Sequence, residues 1–311
     1  MFIINSIAPI FLLIALGKMV RKTGFLPDPF FKGINRFVFW FALPALLISR
    51  ISVAELELPT LSRIVLLLTA GTLLAMTLAW LVSRRLKLPA AQTGSFIQGS
   101  FRGNGAFIGL PVIVYSLGSL DPRAEMLGTV VLGPVVILFN ILGVLILTHY
   151  SSNQKGTGAS IASFIGELVK NPLIAACAIG LALNLGNTAL PRFLFRPLDL
   201  LGDTALPLVL MSIGASLEFE RLRGAASPSL IASLIKVVAA PIFGFLLAGL
   251  FGLSQTERMI AIFYLAAPAA GMSYVMAEVM GNDGPLAGRI VALSTLLSAV
   301  TIPIIMALGI R

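Results

Sequence analysis

The sequence predicts an all-α membrane protein with ten transmembrane helices, arranged as two inverted five-helix repeats with crossed, broken helices 4 and 9. The first observation is composition, because 58% of the 311 residues are hydrophobic and 11% are charged, whereas soluble domains carry roughly 25% charged residues. The second is a series of ten apolar stretches, each long enough for a spanning helix of about 20 residues. The third is an internal repeat with a fixed offset of 163 residues.

The ten predicted spans are joined by short connections that leave no room for a soluble domain. Stretches this continuously apolar are typical of helices and not of barrel strands, which alternate in polarity. The predicted spans are residues 2–20, 32–50, 61–83, 91–118, 125–148, 160–186, 198–217, 228–252, 256–280 and 286–310.

Basic residues indicate how the chain is oriented. Lys18, Arg21 and Lys22 follow the first apolar stretch, whereas a secretory signal carries its positive charge before that stretch. The distribution of Lys and Arg over the loops favours periplasmic termini and a cytoplasmic central linker. The net charge of +9 is therefore interpreted as loop charge in a multi-pass protein of the inner (plasma) membrane. Its surroundings are the lipid bilayer, and we expect no nucleic-acid partner.

The internal repeat divides the chain into two halves. The segment "ALPALLIS" (42–49) returns as "ALPLVLMS" (205–212), and Pro9 matches Pro172 at the same offset. Each half holds five spans, and an odd number makes the second half enter the membrane from the opposite side, as in many secondary transporters. The predicted parts are a first repeat at 1–150, a cytoplasmic linker at 151–159 and a second, inverted repeat at 160–311.

Spans 4 and 9 carry clusters of helix-breaking residues near their centres. Span 4 contains "RGNGAFIGLP" (102–111), span 9 contains "APAAGMSYVMAE" (267–278), and the offset places Gly105 on Pro268. Proline removes a backbone donor and glycine weakens a helix. Two such breaks in inverted repeats would meet at the midplane, where half-helix N-termini favour an anion. The alternative is that these residues only kink the helices for packing.

Three polar residues lie at depths where polar groups are costly. Arg102 is interpreted as an anion contact or as a pairing that ties span 4 to a neighbouring helix. Asn104 could bind the anion, cap the broken half-helix, or both. Lys236 lies at the centre of span 8, where it could bind an anion, exchange a proton, or extend towards an interface.

Other polar residues have less demanding interpretations. Asp203 is a candidate for ion or proton coupling, although interface charge also explains Asp203 and its neighbour Asp199. Glu278 is expected to be solvated near the cytoplasmic surface, and Asn140 is expected to form a hydrogen bond between helices. We expect no metal and no cofactor, with protons or sodium as candidate coupling ions.

Three segments carry a resemblance to a known family. Asn104, Gly109 and Pro111 resemble the Asn-x-x-x-x-Gly-[Ile/Leu]-Pro segment of the auxin efflux carrier family, which includes plant PIN-type carriers and bacterial malonate transporters. The segment "LGDTALPLVLMSIGASL" (201–217) is similar to the span 7 signature of that family, and residues 267–278 resemble its span 9 crossover. The resemblance covers the whole chain.

The resemblance implies a secondary active transporter that moves an organic anion, a carboxylate, by an elevator-like mechanism. It implies a scaffold domain of spans 1, 2, 6 and 7 and a transport domain of spans 3–5 and 8–10. The carboxylate site would be formed by the Asn104 side chain and by the crossover backbone around Pro111 and Pro268. The candidate substrate-binding residues are Asn104, Gly105, Gly109, Pro111, Pro268, Ala269, Gly271 and Arg102, and the candidates for coupling or charge are Lys236 and Asp203.

Other classes of protein were weighed against this interpretation. A sodium-coupled organic-anion symporter resembling the bile acid family shares the five-plus-five plan, but it needs clustered acidic and amide oxygens beside the crossover, where only Asn104 lies. A channel is a further alternative. An intramembrane enzyme is not expected, because the sequence has no HExxH or GxSxG motif and because Asp199 and Asp203 share one helix. A homodimer is a candidate assembly.

Overall fold

The computed structural model describes residues 2–55, 57–151, 171–216 and 227–309. These residues form helices joined by short turns, and no β-strand occurs among them. Most of the predicted cytoplasmic linker (152–159) and the first part of predicted span 6 (160–170) lie outside the described residues.

Fifteen α-helices are described, and three single turns of π-helix join or precede some of them. The π turns are Val38–Ala42 between α2 and α3, Gly105–Gly109 before α6, and Ile235–Ala239 between α11 and α12. The α-helices are α1 (Phe2–Lys22), α2 (Asp28–Phe37), α3 (Leu43–Ser52), α4 (Leu58–Arg85), α5 (Ala90–Phe101), α6 (Leu110–Leu117), α7 (Arg123–Tyr150), α8 (Pro172–Leu185), α9 (Arg192–Asp203), α10 (Ala205–Ser216), α11 (Ser227–Leu234), α12 (Ala240–Ala248), α13 (Gln255–Ala266), α14 (Met272–Val279) and α15 (Gly284–Gly309).

The helices make this a multi-pass α-helical membrane protein. Six helical stretches in the described part of the chain are long and apolar enough to cross a membrane, and two shorter apolar helices accompany them. The prediction of an all-α membrane protein is confirmed, whereas the ten-helix inverted arrangement stays a prediction. The six long stretches are Pro29–Ser52, Leu58–Arg85, Arg123–Tyr150, Arg192–Ala215, Ser227–Ala248 and Gly284–Gly309.

The chain forms two compact units, and α4 and α7 contribute residues to both. The first unit consists of Met1–Leu61, Ala106–Pro134 and Leu168–Leu217. Within it, α1 packs on α10 at backbone distance. A Cβ atom added to Gly17 would lie 1.9 Å from the carbonyl oxygen of Met211, and one added to Gly214 would lie 1.8 Å from that of Ile14. Only glycine permits so close an approach.

An arginine joins three helices of the first unit. The Nε of Arg50, at the end of α3, donates to Oε1 of Glu125 on α7 at 2.7 Å. Its Nη2 donates to Oδ1 of Asp203 on α9 at 2.8 Å, and its Nη1 donates to Oδ1 of Asp199. The ion pairs hold these three helix ends together. Asp199 and Asp203, which were interpreted as interface charge, therefore pair with Arg50.

The second unit consists of Ser62–Gly105, Val135–Glu167 and Glu218–Arg311. Its centre is formed by α5 and α13, since residues 93–103 and 259–269 are buried without interruption. α15 packs along α5, α11 and α14. The two helices that enter the predicted breaks are thus the ones enclosed by the rest of this unit.

Candidate functional site

Predicted spans 4 and 9 are both interrupted, as the sequence indicates. α5 ends at Phe101 and helical structure resumes at Gly105, while α13 ends at Ala266 and α14 begins at Met272. The first break comprises residues 102–104, at the start of the helix-breaking segment 102–111. Gly109 and Pro111 lie in helical turns after it, because proline is compatible with the first turn of α6, where backbone N–H groups need no helical partner.

The two breaks pair with each other through their backbones. Gly103 and Ala269 form an isolated antiparallel bridge. The N–H of Asn104 donates to the carbonyl oxygen of Pro268 at 2.7 Å, and the N–H of Ala270 donates to the carbonyl oxygen of Arg102 at 3.0 Å. Backbone groups that each helix loses at its break are therefore satisfied by the other chain segment.

Glycine at position 103 allows this pairing. A Cβ atom placed there would lie 3.1 Å from the carbonyl oxygen of Tyr264 and 3.2 Å from Cε of Lys236. Both distances are tighter than ordinary packing, so the backbone of the first break lies directly against α13 and the lysine side chain.

Lys236 caps the end of α13. In an unbroken helix the N–H of Ala269 would donate to the carbonyl oxygen of Leu265. Here that N–H donates to Oγ of Ser294 at 3.0 Å, and Nζ of Lys236 donates to the Leu265 oxygen instead. A cation at a helix C-terminus complements the helix dipole. The Lys236 side chain is fully buried, so it does not extend to an interface.

Arg102 follows α5 and ties it to two other helices. Its side chain is 7% exposed. The Nη2 atom donates to Oδ1 of Asn140 on α7 at 2.9 Å, and Nη1 donates to Oγ of Ser273 on α14 at 3.3 Å. The predicted inter-helix hydrogen bond of Asn140 is confirmed, and so is the pairing role of Arg102.

The charges beside the breaks are of one sign. Within the described ranges, no carboxylate lies within ion-pair distance of Arg102 or Lys236, and the ion pairs that do occur there involve Arg50 and Arg123. Glu278, on α14, is exposed as predicted. The backbone bridge therefore has two buried basic side chains next to it, and the contacts described for them are hydrogen-bond acceptors and not carboxylates.

The candidate residues predicted from the sequence divide between the two units. Gly109, Pro111 and Asp203 lie in the first unit, where Asp203 is paired with Arg50. Those in the second unit, all at or next to the breaks or the lysine cap, are Arg102, Asn104, Gly105, Pro268, Ala269, Gly271 and Lys236.

Sequence reasoning missed three polar residues at this site. Ser273 and Ser294 gave no signal, because single serines are common in membrane helices and satisfy themselves on their own backbone. Gln98 is fully buried on α5, and a mid-span amide is a recognisable signal of polar contact. In the part of the chain that the structure describes, no group of three or more His, Cys, Asp and Glu side chains could hold a metal ion.

Comparison with known proteins agrees with the resemblance seen in the sequence. The family described as membrane transport protein matches residues 2–306. An uncharacterized transporter of Methanothermobacter thermautotrophicus is 26% identical over 306 residues, which cover 96% of each chain. An uncharacterized transporter of Methanocaldococcus jannaschii is 23% identical over 299 residues, which cover 94% of each chain. The chain therefore belongs to the membrane transport protein family, the family of the auxin efflux carriers.

Proposed function

We propose that this transporter is a secondary active carrier of an organic anion, a carboxylate, across the inner membrane. The observation that carries the proposal is the pair of buried basic side chains, Arg102 and Lys236, beside two helix breaks without a carboxylate partner among the described residues. A buried charge is costly unless an opposite charge accompanies it. A carboxylate substrate supplies that charge each time it binds.

The backbone around the breaks suits the same ligand. α14 begins at Met272, directly after Gly271, and a helix N-terminus presents N–H groups and partial positive charge to an anion. Asn104, half-buried next to the bridge, carries an amide that can donate hydrogen bonds to a carboxylate. We propose that Arg102 and Lys236 supply positive electrostatic potential to the bound substrate. The residues proposed to contact it are Asn104, Gly105, Pro268, Ala269 and Gly271.

The proposal includes an elevator-like movement in a ten-helix, inverted-repeat fold with both termini in the periplasm. It assigns spans 1, 2, 6 and 7 to a scaffold and spans 3–5 and 8–10 to a transport domain. The composition of the two units supports this division, since α1–α3 and α8–α10 belong to the first unit and α5 and α11–α15 to the second. α6, the second half of span 4, belongs to the first unit. Gly109 and Pro111 stay predictions of the family resemblance.

The test is transport by the purified protein in liposomes. A panel of radiolabelled monocarboxylates, dicarboxylates and aromatic acids is offered under a proton gradient, a sodium gradient or neither. We expect saturable uptake of at least one acid, and the gradient arms identify the coupling ion. If no acid on the panel is transported or bound, the anion proposal is overturned.

The Asn104→Ala variant locates the site. Losing a hydrogen bond to a charged group costs about 1.5–3 kcal/mol, which corresponds to roughly 10- to 150-fold weaker affinity. The backbone bridge should be retained, because it uses the Asn104 backbone N–H. Glu278→Gln, at the exposed carboxylate, is the control and should bind like the wild type. If Asn104→Ala binds the substrate as tightly as the wild type and the control do, the bridge is only a structural hinge.

A further inference from the structure

One side of α5 carries a row of buried polar atoms that have no hydrogen-bond partner among the described residues. They are Oγ of Ser95, Oε1 of Gln98 and Nε of Arg102. Their spacing of three and four residues places them on one face of the helix. Ser95 and Gln98 are fully buried, so bulk water at the surface does not account for them.

The row continues to one end of the second unit. Oδ1 of Asn282, in the turn between α14 and α15, is also buried without a partner among the described residues. It lies over the start of the same face, since a Cβ atom added to Gly94 would be 2.1 Å from it. The Asp283 N–H donates to the Ala91 carbonyl oxygen at 3.1 Å. The distance from Gly94 to Arg102 along the helix is roughly 12 Å, at 1.5 Å per residue.

α7 and α14 form the other sides of this row. A Cβ atom added to Gly143 would lie 3.3 Å from Nε2 of Gln98 and 3.5 Å from Cδ of Arg102. Met276 also reaches Gln98, with its Sδ 3.9 Å from Nε2. At the inner end, Asn140 and Ser273 accept the two hydrogen bonds of the Arg102 guanidinium. The absence of a side chain at Gly143 thus lets the backbone of α7 lie directly against Gln98 and Arg102.

The energetics favour a polar occupant. A buried donor or acceptor without a partner costs about 1–3 kcal/mol. Here three such atoms share one face of α5 and its end, and a fourth, Oδ1 of Asn282, lies against Gly94. Three of the four are oxygen acceptors, and the remaining one is Nε of the Arg102 guanidinium, a cationic group that would repel a metal cation. Water satisfies both kinds of group and typically makes two to four hydrogen bonds in such sites.

We propose that Ser95, Gln98, Arg102, Asn140, Ser273 and Asn282 line a hydrated polar track. It brings water from the end of the second unit that carries Asn282 to the guanidinium of Arg102 at the helix break. The water solvates a cation that no carboxylate neutralises within the described ranges. The track lies inside the second unit and is defined without reference to the transported substrate, so it stands whether or not the substrate is a carboxylate.

The test uses single cysteines on α5 and a small charged methanethiosulfonate reagent. In a background with Cys177 replaced by alanine, cysteines are placed at Ser95 and Gln98 on the track and at Ile97, which is equally buried on another face of the same helix. The reagent is hydrophilic and reacts with the thiolate, which forms only where water reaches the sulfur. Pro285→Cys, at the exposed start of α15, marks the membrane side on which the track opens.

We expect Ser95→Cys and Gln98→Cys to react about tenfold faster than Ile97→Cys, since thiolate formation controls the rate. They should react from the side on which Pro285→Cys reacts. Equal rates at all three α5 positions, including no reaction at any, would overturn the track. Ser95→Cys differs from the wild type by one atom, so it keeps the test valid if Gln98→Cys does not fold. The readout is labelling, so it is independent of the transport measurements.

Discussion

The Nζ of Lys236 donates a hydrogen bond to the carbonyl oxygen of Leu265, the oxygen that loses its helical donor where α13 is interrupted. The lysine therefore has a structural partner and also places a buried positive charge beside the backbone bridge. Separating these two contributions requires a variant that removes the charge and keeps the volume.

Lys236→Met is that variant. The substitution also removes the donor to the Leu265 carbonyl oxygen, and a buried acceptor without a partner costs about 1–3 kcal/mol, so we expect a lower midpoint of thermal unfolding in detergent. We expect the affinity for the transported anion to fall by about tenfold or more, which corresponds to about 1.4 kcal/mol. Leu234→Met, two residues earlier and exposed, is the control. Unchanged affinity with a lower midpoint would mean that Lys236 is only a helix cap.

Asn140→Asp tests whether Arg102 acts through its charge. The substituted carboxylate would accept from Nη2 of Arg102, where the amide oxygen now accepts at 2.9 Å, and would neutralise the guanidinium. We expect anion binding, measured by calorimetry, to weaken by about tenfold or more. Asn140→Ser removes the amide without adding a charge, so its affinity for the anion should fall by less than that of Asn140→Asp. If the serine variant loses as much as the aspartate variant, positioning and not charge explains the effect.

Ser294→Ala tests the second break. It removes the acceptor for the Ala269 N–H, and a buried N–H without a partner costs about 1–3 kcal/mol. We expect a lower unfolding midpoint in detergent. Ser298, one turn further along α15, donates only to Thr295 of its own helix, and Ser298→Ala should leave the midpoint within error of the wild type. Equal effects of the two substitutions would show that the Ser294 contact does not hold the break.

Gly17→Ala tests the backbone packing of α1 on α10. The added methyl group would lie 1.9 Å from the carbonyl oxygen of Met211, so the helices must separate. We expect destabilisation of about 1–3 kcal/mol, the range typical of overpacking, measured as a lower unfolding midpoint. Gly33→Ala on α2 is the matched control, because nothing lies within 4 Å of the added atom. A variant of Gly17 as stable as the Gly33 control would contradict the close packing.

Arg50→Gln tests the ion pairs that join α3, α7 and α9. It leaves Glu125, Asp199 and Asp203 without the cation they share, and their mutual repulsion should lower the unfolding midpoint. Because Arg50 is 27% exposed, salt should reduce this repulsion. Arg123→Gln, at an arginine that is 58% exposed and paired with nearby Asp121, should have a smaller effect. The opposite ranking would show that the shared pairing contributes little.

The features that the sequence predicted well are those that depend on local backbone chemistry. Clustered proline and glycine disfavour a continuous helix, so an interruption of span 4 and of span 9 was predictable. Its place in span 4 was not, because Gly109 and Pro111 lie in helical turns after the break at 102–104. Mid-span Arg102, Asn140 and Lys236 were recognisable because charged and amide groups are rare at that depth.

The features that it did not predict depend on which helix faces which. The ion pairs of Arg50 were not predicted, because its partners come from helices more than 70 residues away. Ser294 and Ser273 could satisfy themselves locally, and only the packing of α14 and α15 shows that they serve the break and Arg102. Of the alternatives for Lys236, extension towards an interface is excluded by its burial. Its contact with Leu265 was not predicted, since that oxygen is available as a partner only where α13 ends.

The bridge between Gly103 and Ala269 is made from main-chain atoms, and this has a consequence for how such transporters diversify. Hydrogen bonds between backbone groups do not depend on side-chain identity, so residues flanking the bridge can be substituted while these hydrogen bonds remain. Position 103 is the exception, because a Cβ atom there would lie 3.1 Å from the carbonyl oxygen of Tyr264 and 3.2 Å from Cε of Lys236, closer than ordinary packing. Side chains beside the bridge can therefore vary in size and polarity, while the same pairing of main chain with main chain joins the two breaks.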